Sequence, residues 1–537
     1  MPTVPVRGLG EIGVMADLSP QDAPFTAFSE ARNIRFAEGK LSRSSVFKTF
    51  DSAYTYAKTP VGILDGGAAT DEGYVVTVFS DGTMEQRYNG GTATVTPVAT
   101  LSSANDQITT CKLGGVTYVN RQTDLPIYRK SPSNGVFVVL PGWDASWRCK
   151  SLRSYKDFLI SLNVSQGATN YPAMVKWSDA TQAGVPPANW DIANPASLAG
   201  ETVLNDLTGE IIDGGPLQDS FIIYGQTQTF RMDFIGAPLV FRFSKIFEDQ
   251  GAIAKNCSVD VDGRHYVFGR SDLYMHDGLQ RVSIANGKVL NHVFKELDFD
   301  KRDRCFIYHD RFNSEIAFCY PTTDDAPWGT DSIQGVNRAV VFNYRYNTWT
   351  FLDLPALIGW MEVSESSTIT WADLASSWAE TTGPWSSFGT QLPRTLLVCS
   401  AGLSGIKAGQ PYIVDNISGR VSNLTDLDVT WDAYARALYK DVDEMGANLI
   451  GRKLVSRIVP QVLTEDPQAF VKMRFGQSQN LVNEATWGAW KNFNPWSDYK
   501  YDTRINGRYL HFEFLIPSGT YAELGGFDAD LKQISGR

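Results

Sequence analysis

The sequence predicts an all-β chain: a β-propeller of about six blades, followed by an additional C-terminal antiparallel β-sandwich-like domain. Three observations predict it. First, one theme recurs between residues 74 and 355: a short β-type run, a Gly/Asn/Asp turn, then an aromatic-rich return strand. The copies begin at Tyr74 (YVVTVFSDGTMEQRYN), Val116, Asp157, Asp219, Arg264 (RHYVFGRSDLYMHDG) and Ser314. Their starts lie mostly about 40 to 60 residues apart, the spacing of propeller blades. Second, aromatic residues make up 12% of the chain, with 14 Trp, a composition that suits sheets with well-packed faces. Third, period-2 alternation resumes after the repeats and is cleanest in RYLHFEFLI. There Tyr509, His511, Glu513 and Leu515 fall on one face, and Leu510, Phe512, Phe514 and Ile516 on the other.

Each element follows in order. Residues 1–24 are rich in Pro and Gly and read as an extended N-terminal arm. Residues 25–355 form the propeller region. It opens with a hairpin in which Ile34 and Phe36 alternate with Arg35 and Ala37, turn at Glu38-Gly39 and resume at Lys40-Leu41. Within the propeller region only Val289 to Leu297 has helical spacing, with Val289, Val293 and Leu297 at i, i+4 and i+8. Residues 356–423 form an insertion with connecting strands. In it Trp371, Trp378 and Trp385 recur every seven residues in a Ser/Thr-rich stretch broken by Gly383-Pro384. That composition favours tight turns over a helix. Exposed tryptophans are preferred anchors at buried contacts, which makes these three the candidate interface residues; folding back on their own sheet is the competing reading. Residues 424–537 form the C-terminal antiparallel domain. The run from Trp431 fits a helix by Tyr434, Leu438 and Val442, and a strand by its flanks.

The charge balance narrows the class of function. There are 59 acidic and 48 basic side chains, a net charge of -11 at pH 7. Such a surface does not grip a phosphate backbone, though it suits one that must avoid sticking to DNA. The six cysteines stand singly with no CxxC pair, and the spacing favours free thiols and assembly in a cytoplasm. The start of the chain has neither the basic nor the apolar region of a signal peptide, and no run reaches the length of a membrane span.

Motifs for chemistry are few. The five histidines sit on separate predicted elements; only His265 and His276 come within reach across one hairpin, where a structural role is the stronger reading. Ser80 to Thr83 (SDGT) is similar to the Asp-box turn of sialidase-type propellers, yet it lacks the Trp, is shortened and does not recur. Asp298/Asp300 and Asp324-Asp325 are adjacent acids of a kind glycosidases use, and in polar loops they read as solvated. The sequence thus points to a protein that is not an enzyme, with no catalytic, cofactor or metal residues and no cofactor.

Several stretches carry a family resemblance. Phe25 with Ala31 to Phe36 and Gly39 to Leu41 (F-x-x-x-x-x-A-R-N-I-R-F-x-x-G-K-L) resembles the start of tail nozzle proteins of short-tailed bacteriophages, also described as tail tubular protein B or packaged-DNA stabilisation proteins. Leu217 to Gly278 is similar to their most recognisable stretch, including the Gly251 to Ala254 step. Arg338 to Phe351, ending in Asn-x-x-Trp, and the close NGRYLHFEF…YAELGGFDADLKQISGR also resemble that family. Each patch is also a β-hairpin, and their order along nearly the whole chain carries the resemblance.

The resemblance implies a structural virion protein. It would form a homohexameric ring below the portal and the head-to-tail adaptor, neighbouring tail fibres or spikes. The ring would retain packaged double-stranded DNA and conduct it without sequence-specific binding, after assembly in the host cytoplasm. The alternative of another class is a glycan-binding or glycan-hydrolysing propeller acting as a receptor-binding tail component.

Overall fold

The computed structural model describes residues 3–535 apart from 45, 50–57, 69–72, 89–95, 104–105, 131–134, 238, 323–334, 364–394, 401, 404–406, 409–410, 416–428, 442–451 and 483. Strands dominate, and the only α-helix among the described residues is Leu290–Glu296, within the stretch whose spacing predicted it. Trp371, Trp378 and Trp385 lie outside the described residues.

Six four-stranded antiparallel units follow one another along the chain. Blade one begins with Pro60–Ala68, blade two with Thr109–Leu113 and blade three with Trp147–Tyr155; blades four, five and six begin with Ile211–Leu217, Ser258–Val261 and Phe306–Asp310. In each the first strand is innermost and pairs with the second, the second with the third and the third with the fourth. Turn chemistry sets these hairpins: Asp262 and Gly263 both take positive φ between the first two strands of blade five, the geometry of a tight hairpin turn.

A seventh unit closes the ring, and no sequence repeat marks it because its strands come from three separate places. The long strand Thr348–Val363 is outermost in blade six until Ala356, which takes φ 50°; Leu357 pairs with both Val336 and Ser400, and from Gly359 the strand pairs with Thr395–Ser400 alone. Pro411–Asp415 is added next, and Val46–Thr49 from the beginning of the chain completes the unit. The first and last parts of the propeller are therefore hydrogen-bonded together, leaving no open seam.

The C-terminal sandwich is built from both ends of the chain. One sheet runs Ile34–Ala37, Lys40–Arg43, Glu523–Ser535, Arg452–Leu463, Tyr501–Gly507, with Thr3–Arg7 alongside Glu523–Ser535. The other contains Glu30–Arg32, Ala433–Asp441, Tyr509–Ile516 and Val471–Ser478. The arm 1–24 thus supplies a sandwich strand, and the hairpin from Phe25, grouped with the propeller on sequence order, belongs to the sandwich. The physical reason is the apolar set on that segment: Phe28 packs on Phe36 and edge-on against Phe512, burying both in the core that Phe512 and Phe527 also line. The ambiguous run from Trp431 is a strand, with alternate residues Ala433, Ala435 and Ala437 fully buried.

Alternation in Tyr509–Ile516 places Leu510, Phe512, Phe514 and Ile516 in the core as predicted. The opposite face is covered too. His511 is buried under Tyr439 and Trp487, and Glu513 is paired with Arg436 and Arg474.

Candidate functional site: the propeller channel and its two faces

The innermost strands leave a central cavity of about 590 Å³, lined from all six consecutive blades and by Ile358 to Glu362 of the seventh. At about 30 Å³ per molecule it has room for about 20 waters.

Charges in the channel meet partners on neighbouring blades. Lys112 of blade two reaches Asp65 of blade one at 2.5 Å, and Arg311 reaches Glu362 at 3.1 Å. Arg153 of blade three grips Asp213 of blade four through two nitrogens, at 2.9 and 2.5 Å, and also donates to the Thr110 carbonyl and to Asn256. Ser151 and the Asn256 amide donate to the same carboxylate, at 2.5 and 2.8 Å. Despite burial, Arg153 and these donors hold the Asp213 carboxyl below its usual range. This cluster staples blades two to five around the axis.

The arrangement offers little nucleophilic chemistry. Cys111 lines the channel, but burial pushes its thiol up to about 12, far from a reactive thiolate. Ser151 has Asp213 as its acceptor, and a carboxylate held by an arginine is a poor base. The described cysteines Cys111, Cys149, Cys257, Cys305 and Cys319 are all free. Among the described residues no cluster of His, Cys, Asp and Glu has the makings of a metal site.

The other sequence candidates have local roles. Asp81 of SDGT accepts from the Thr83 amide and hydroxyl at 3.0 and 2.7 Å and pairs with Lys58 at 2.6 Å, contacts that lower its carboxyl to about 2. Asp298 caps the short turn Phe299–Arg304, accepting from the Asp300 amide and pairing with Lys301. Asp324 and Asp325 lie outside the described residues.

His265 and His276 do meet, through Tyr224 of the neighbouring blade. The Tyr224 hydroxyl lies 2.7 Å from His265 Nδ1 and 2.7 Å from His276 Nε2. The Gly278 amide donates to His276 Nδ1, and His265 Nε2 faces the Pro216 carbonyl at 2.8 Å. These end groups assign every proton: His276 Nε2–H donates to Tyr224, Tyr224 donates to His265 Nδ1, and His265 Nε2–H donates to Pro216. Both rings are neutral, and burial pushes His265 down and His276 to about 3.

The two faces of the propeller differ, a property that sequence periodicity hides. One face carries the turns between first and second strands and between third and fourth strands. Hydrogen bonds across neighbouring turns mark it, such as Gln218 to the Gly263 carbonyl and the Gly184 amide to the Gly114 carbonyl. Val185, Ile235, Leu239, Leu279 and Phe312 are all exposed there. The opposite face is polar, crossed by contacts such as Ser102 to Asp124 and Arg148 to the Thr123 carbonyl. Among its described connections the one exposed large apolar side chain is Phe299. Sequence reasoning missed the apolar face because those residues are scattered over four turns far apart in sequence. The available signal was local, in stretches such as FIGAPL, where apolar residues occupy a turn.

No protein-family model and no curated protein matches the chain. Among solved structures it is similar to the WD40 β-propeller domain of Doa1 at 10% identity, with a TM-score of 0.36, over 70% of this chain and 98% of that chain. It is also similar to YCF48 bound to a D1 peptide, at 8% identity and a TM-score of 0.36, over 67% of this chain and 94% of that one. The strand pairings define the propeller. No helix among the described residues is long and apolar enough to cross a membrane.

Proposed function

We propose that this chain is a structural subunit of the tail nozzle of a short-tailed bacteriophage, assembling into a ring that retains packaged DNA and conducts it during ejection. The observation that carries this reading is where the family-like stretches meet. Ala31 to Phe36, Arg338 to Phe351 and the stretch through Phe527 are far apart in sequence, yet they converge on one joint between propeller and sandwich. Arg32 pairs with Phe351, the Asn33 amide donates to the Phe351 carbonyl, and Phe527 packs in the same core as Phe36. Stretches chosen for resemblance alone thus build one structural element.

Two further features support the reading. The chain is interlocked end to end, which suits a subunit that transmits force without losing its fold. The propeller channel is lined by ion pairs between neighbouring blades, such as Lys112 with Asp65 and Arg311 with Glu362; in this reading DNA passes through a lumen shared between copies, and the net negative charge keeps that lumen from braking the polyanion. The subunit acts with a head-to-tail adaptor and with fibres or spikes, and works by shape and assembly without catalysis of its own.

The test is to purify the phage particles that carry this protein and locate it with an antibody to the sandwich domain. Labelling at the tail, with several copies per particle by quantitative mass spectrometry, is expected. Absence from the particle, or glycan cleavage by the pure protein that one Asp or Glu substitution abolishes, overturns it.

A further inference from the structure

A small polar cavity lies where blade six meets the sandwich. Its polar lining is Ser44, Tyr308, Asp310, Glu315 and Thr350, and its volume of about 10 Å³ gives the centre of one water-sized sphere room to sit. Register explains why these side chains converge. Asp310 pairs with Glu315 across the first hairpin of blade six, and two residues along each strand Tyr308 pairs with Ala317. Ala317 then pairs with Val341 and Val341 with Thr350, so the whole set projects from one face of the blade. Ser44 follows the sandwich strand Lys40–Arg43 and meets that face from the other domain.

Two observations give this cavity an occupant. Thr350 is 6% exposed, and its hydroxyl has no hydrogen-bond partner among the described residues, a costly state for a buried polar atom that nothing meets. The second observation is charge. Asp310 is 4% exposed and accepts from three N–H donors, the Phe312 and Asn313 amides and Asn313 Nδ2, as an ionised carboxylate does. Glu315 accepts from Arg35 through both oxygens, at 2.7 and 3.1 Å. The strongest charges acting on Asp310 are those of Glu315 and Arg35. Two carboxylates against one guanidinium leave a negative charge beside the cavity without a counter-charge.

We propose that the cavity binds one monovalent cation, held by the Asp310 and Glu315 carboxylates and the Thr350 hydroxyl, with Ser44 and Tyr308 completing a shell of oxygens. Oxygen ligands select hard cations. A divalent ion overshoots a single negative charge, and Mg²⁺ retains several waters that this space cannot hold. An ion such as potassium sheds its hydration shell to a ring of protein oxygens. A water in the same place meets Thr350 and leaves the charge unanswered. Most of the shell is neutral oxygen, which sets it apart from the clusters of His, Cys, Asp and Glu that hold divalent metals. The ion ties Ser44 of the sandwich to blade six beside the Arg35–Glu315 pair, and so locks the joint between the two domains. This site is independent of the ring reading above.

Thermal unfolding of the full chain tests it, at about 0.15 M potassium, sodium or tetramethylammonium chloride. Tetramethylammonium is too large for a cavity of one water. The parent is expected to unfold at least about 1 °C higher with potassium or sodium, by a margin that grows with the logarithm of the cation concentration. Thr350→Val keeps the shape of the side chain and removes its hydroxyl, and Asp310→Asn removes a charge. Each should unfold below the parent in potassium chloride and lose the difference between salts. Equal midpoints for the parent in all three salts overturn the site, as does a difference that both variants retain. A Thr350→Val midpoint lowered equally in every salt assigns the cavity to a water. One raised in every salt shows a hydroxyl that nothing meets, and either result overturns the cation.

Discussion

Asn33 and Asp353, 320 residues apart, exchange two hydrogen bonds: Asn33 Nδ2 donates to Asp353 Oδ2 at 2.9 Å, and the Asp353 amide donates to Asn33 Oδ1 at 2.9 Å. Asn33 also donates to the Asp432 carbonyl and takes φ 58°, a left-handed conformation that Asn tolerates better than most residues. One side chain thus ties the N-terminal segment to blade six and to the strand entering the sandwich. Asn33→Ala should lose these bonds and strain the backbone, costing about 3 kcal/mol in urea unfolding. A loss under about 0.5 kcal/mol would show that the joint is held elsewhere.

Arg43 is buried without a carboxylate in contact. Its guanidinium instead donates to the Thr520, Trp431, Ile516 and Pro517 carbonyls and to the Thr430 hydroxyl. Burial lowers its pKa to about 10, which leaves it charged at neutral pH. Arg43→Lys keeps the charge but presents three donors where the planar fork presents five. We expect both Arg43→Lys and Arg43→Ala to destabilise the protein, the alanine by about 3 kcal/mol or more. Thermal unfolding of the lysine variant at the parent's midpoint would contradict the fork argument.

Phe47 sits on the strand that completes the seventh blade and is fully buried, edge-on to Trp431 at 6.0 Å. Its backbone exchanges hydrogen bonds with Val429. Phe47→Ala should cost about 3–5 kcal/mol. Because this strand closes the ring, proteolysis should then cut first in the seventh blade. Uniform loss of protection across all blades would argue against a closing role for this strand.

These examples show what was legible. Six blades could be read because each is one contiguous repeat with its own turn residues. The seventh could not, since it draws Val46–Thr49, Thr395–Ser400 and Pro411–Asp415 together from separate stretches. The membership of Thr3–Arg7 and of the Glu30–Arg43 strands in the sandwich was equally hidden. Alternation shows which face is apolar, and says nothing of which distant surface covers it. The site was less legible than the fold: Asp213 looks ordinary in sequence, and only the ring brings Ser151, Arg153 and Asn256 to it.

Acidification should destabilise the fold. Burial holds His276 at about 3 and His309 and His511 at about 4, and pushes His265 down as well. Below pH 6.5 the unfolded chain takes up these protons and the folded chain does not. Each neutral histidine therefore removes up to about 1.4 kcal/mol of stability per pH unit from 6.5 down to its folded value. Asp310 opposes them: burial and Glu315 raise it to about 6, so it binds its proton in the folded state first. Burial raises Asp272 as well, so two carboxyls oppose four histidines; the balance is still a net loss, and the unfolding midpoint should fall between pH 7 and pH 5. Tyr224→Phe strips one partner from each of His265 and His276 and should destabilise at every pH. A midpoint that rises on acidification would contradict the assigned protonation states.

Duplex DNA should bind the isolated protein weakly and without sequence preference at physiological salt. The excess of acidic over basic side chains, 59 against 48, is repeated in every copy of a ring. Each phosphate a protein neutralises steepens the salt dependence of binding. An anisotropy titration is expected to give a shallow salt slope, and tight binding with a steep slope would mean a clamp that grips DNA.

The central claim is that copies of this chain form a ring with a lumen that no single copy contains. Electron images of the purified protein, alone and with its tail components, combined with its native mass, test it most directly. The account predicts closed rings of identical copies, six by family resemblance, around an opening wide enough for a duplex. A particle of one copy under all these conditions, or a closed assembly without a central opening, would contradict it.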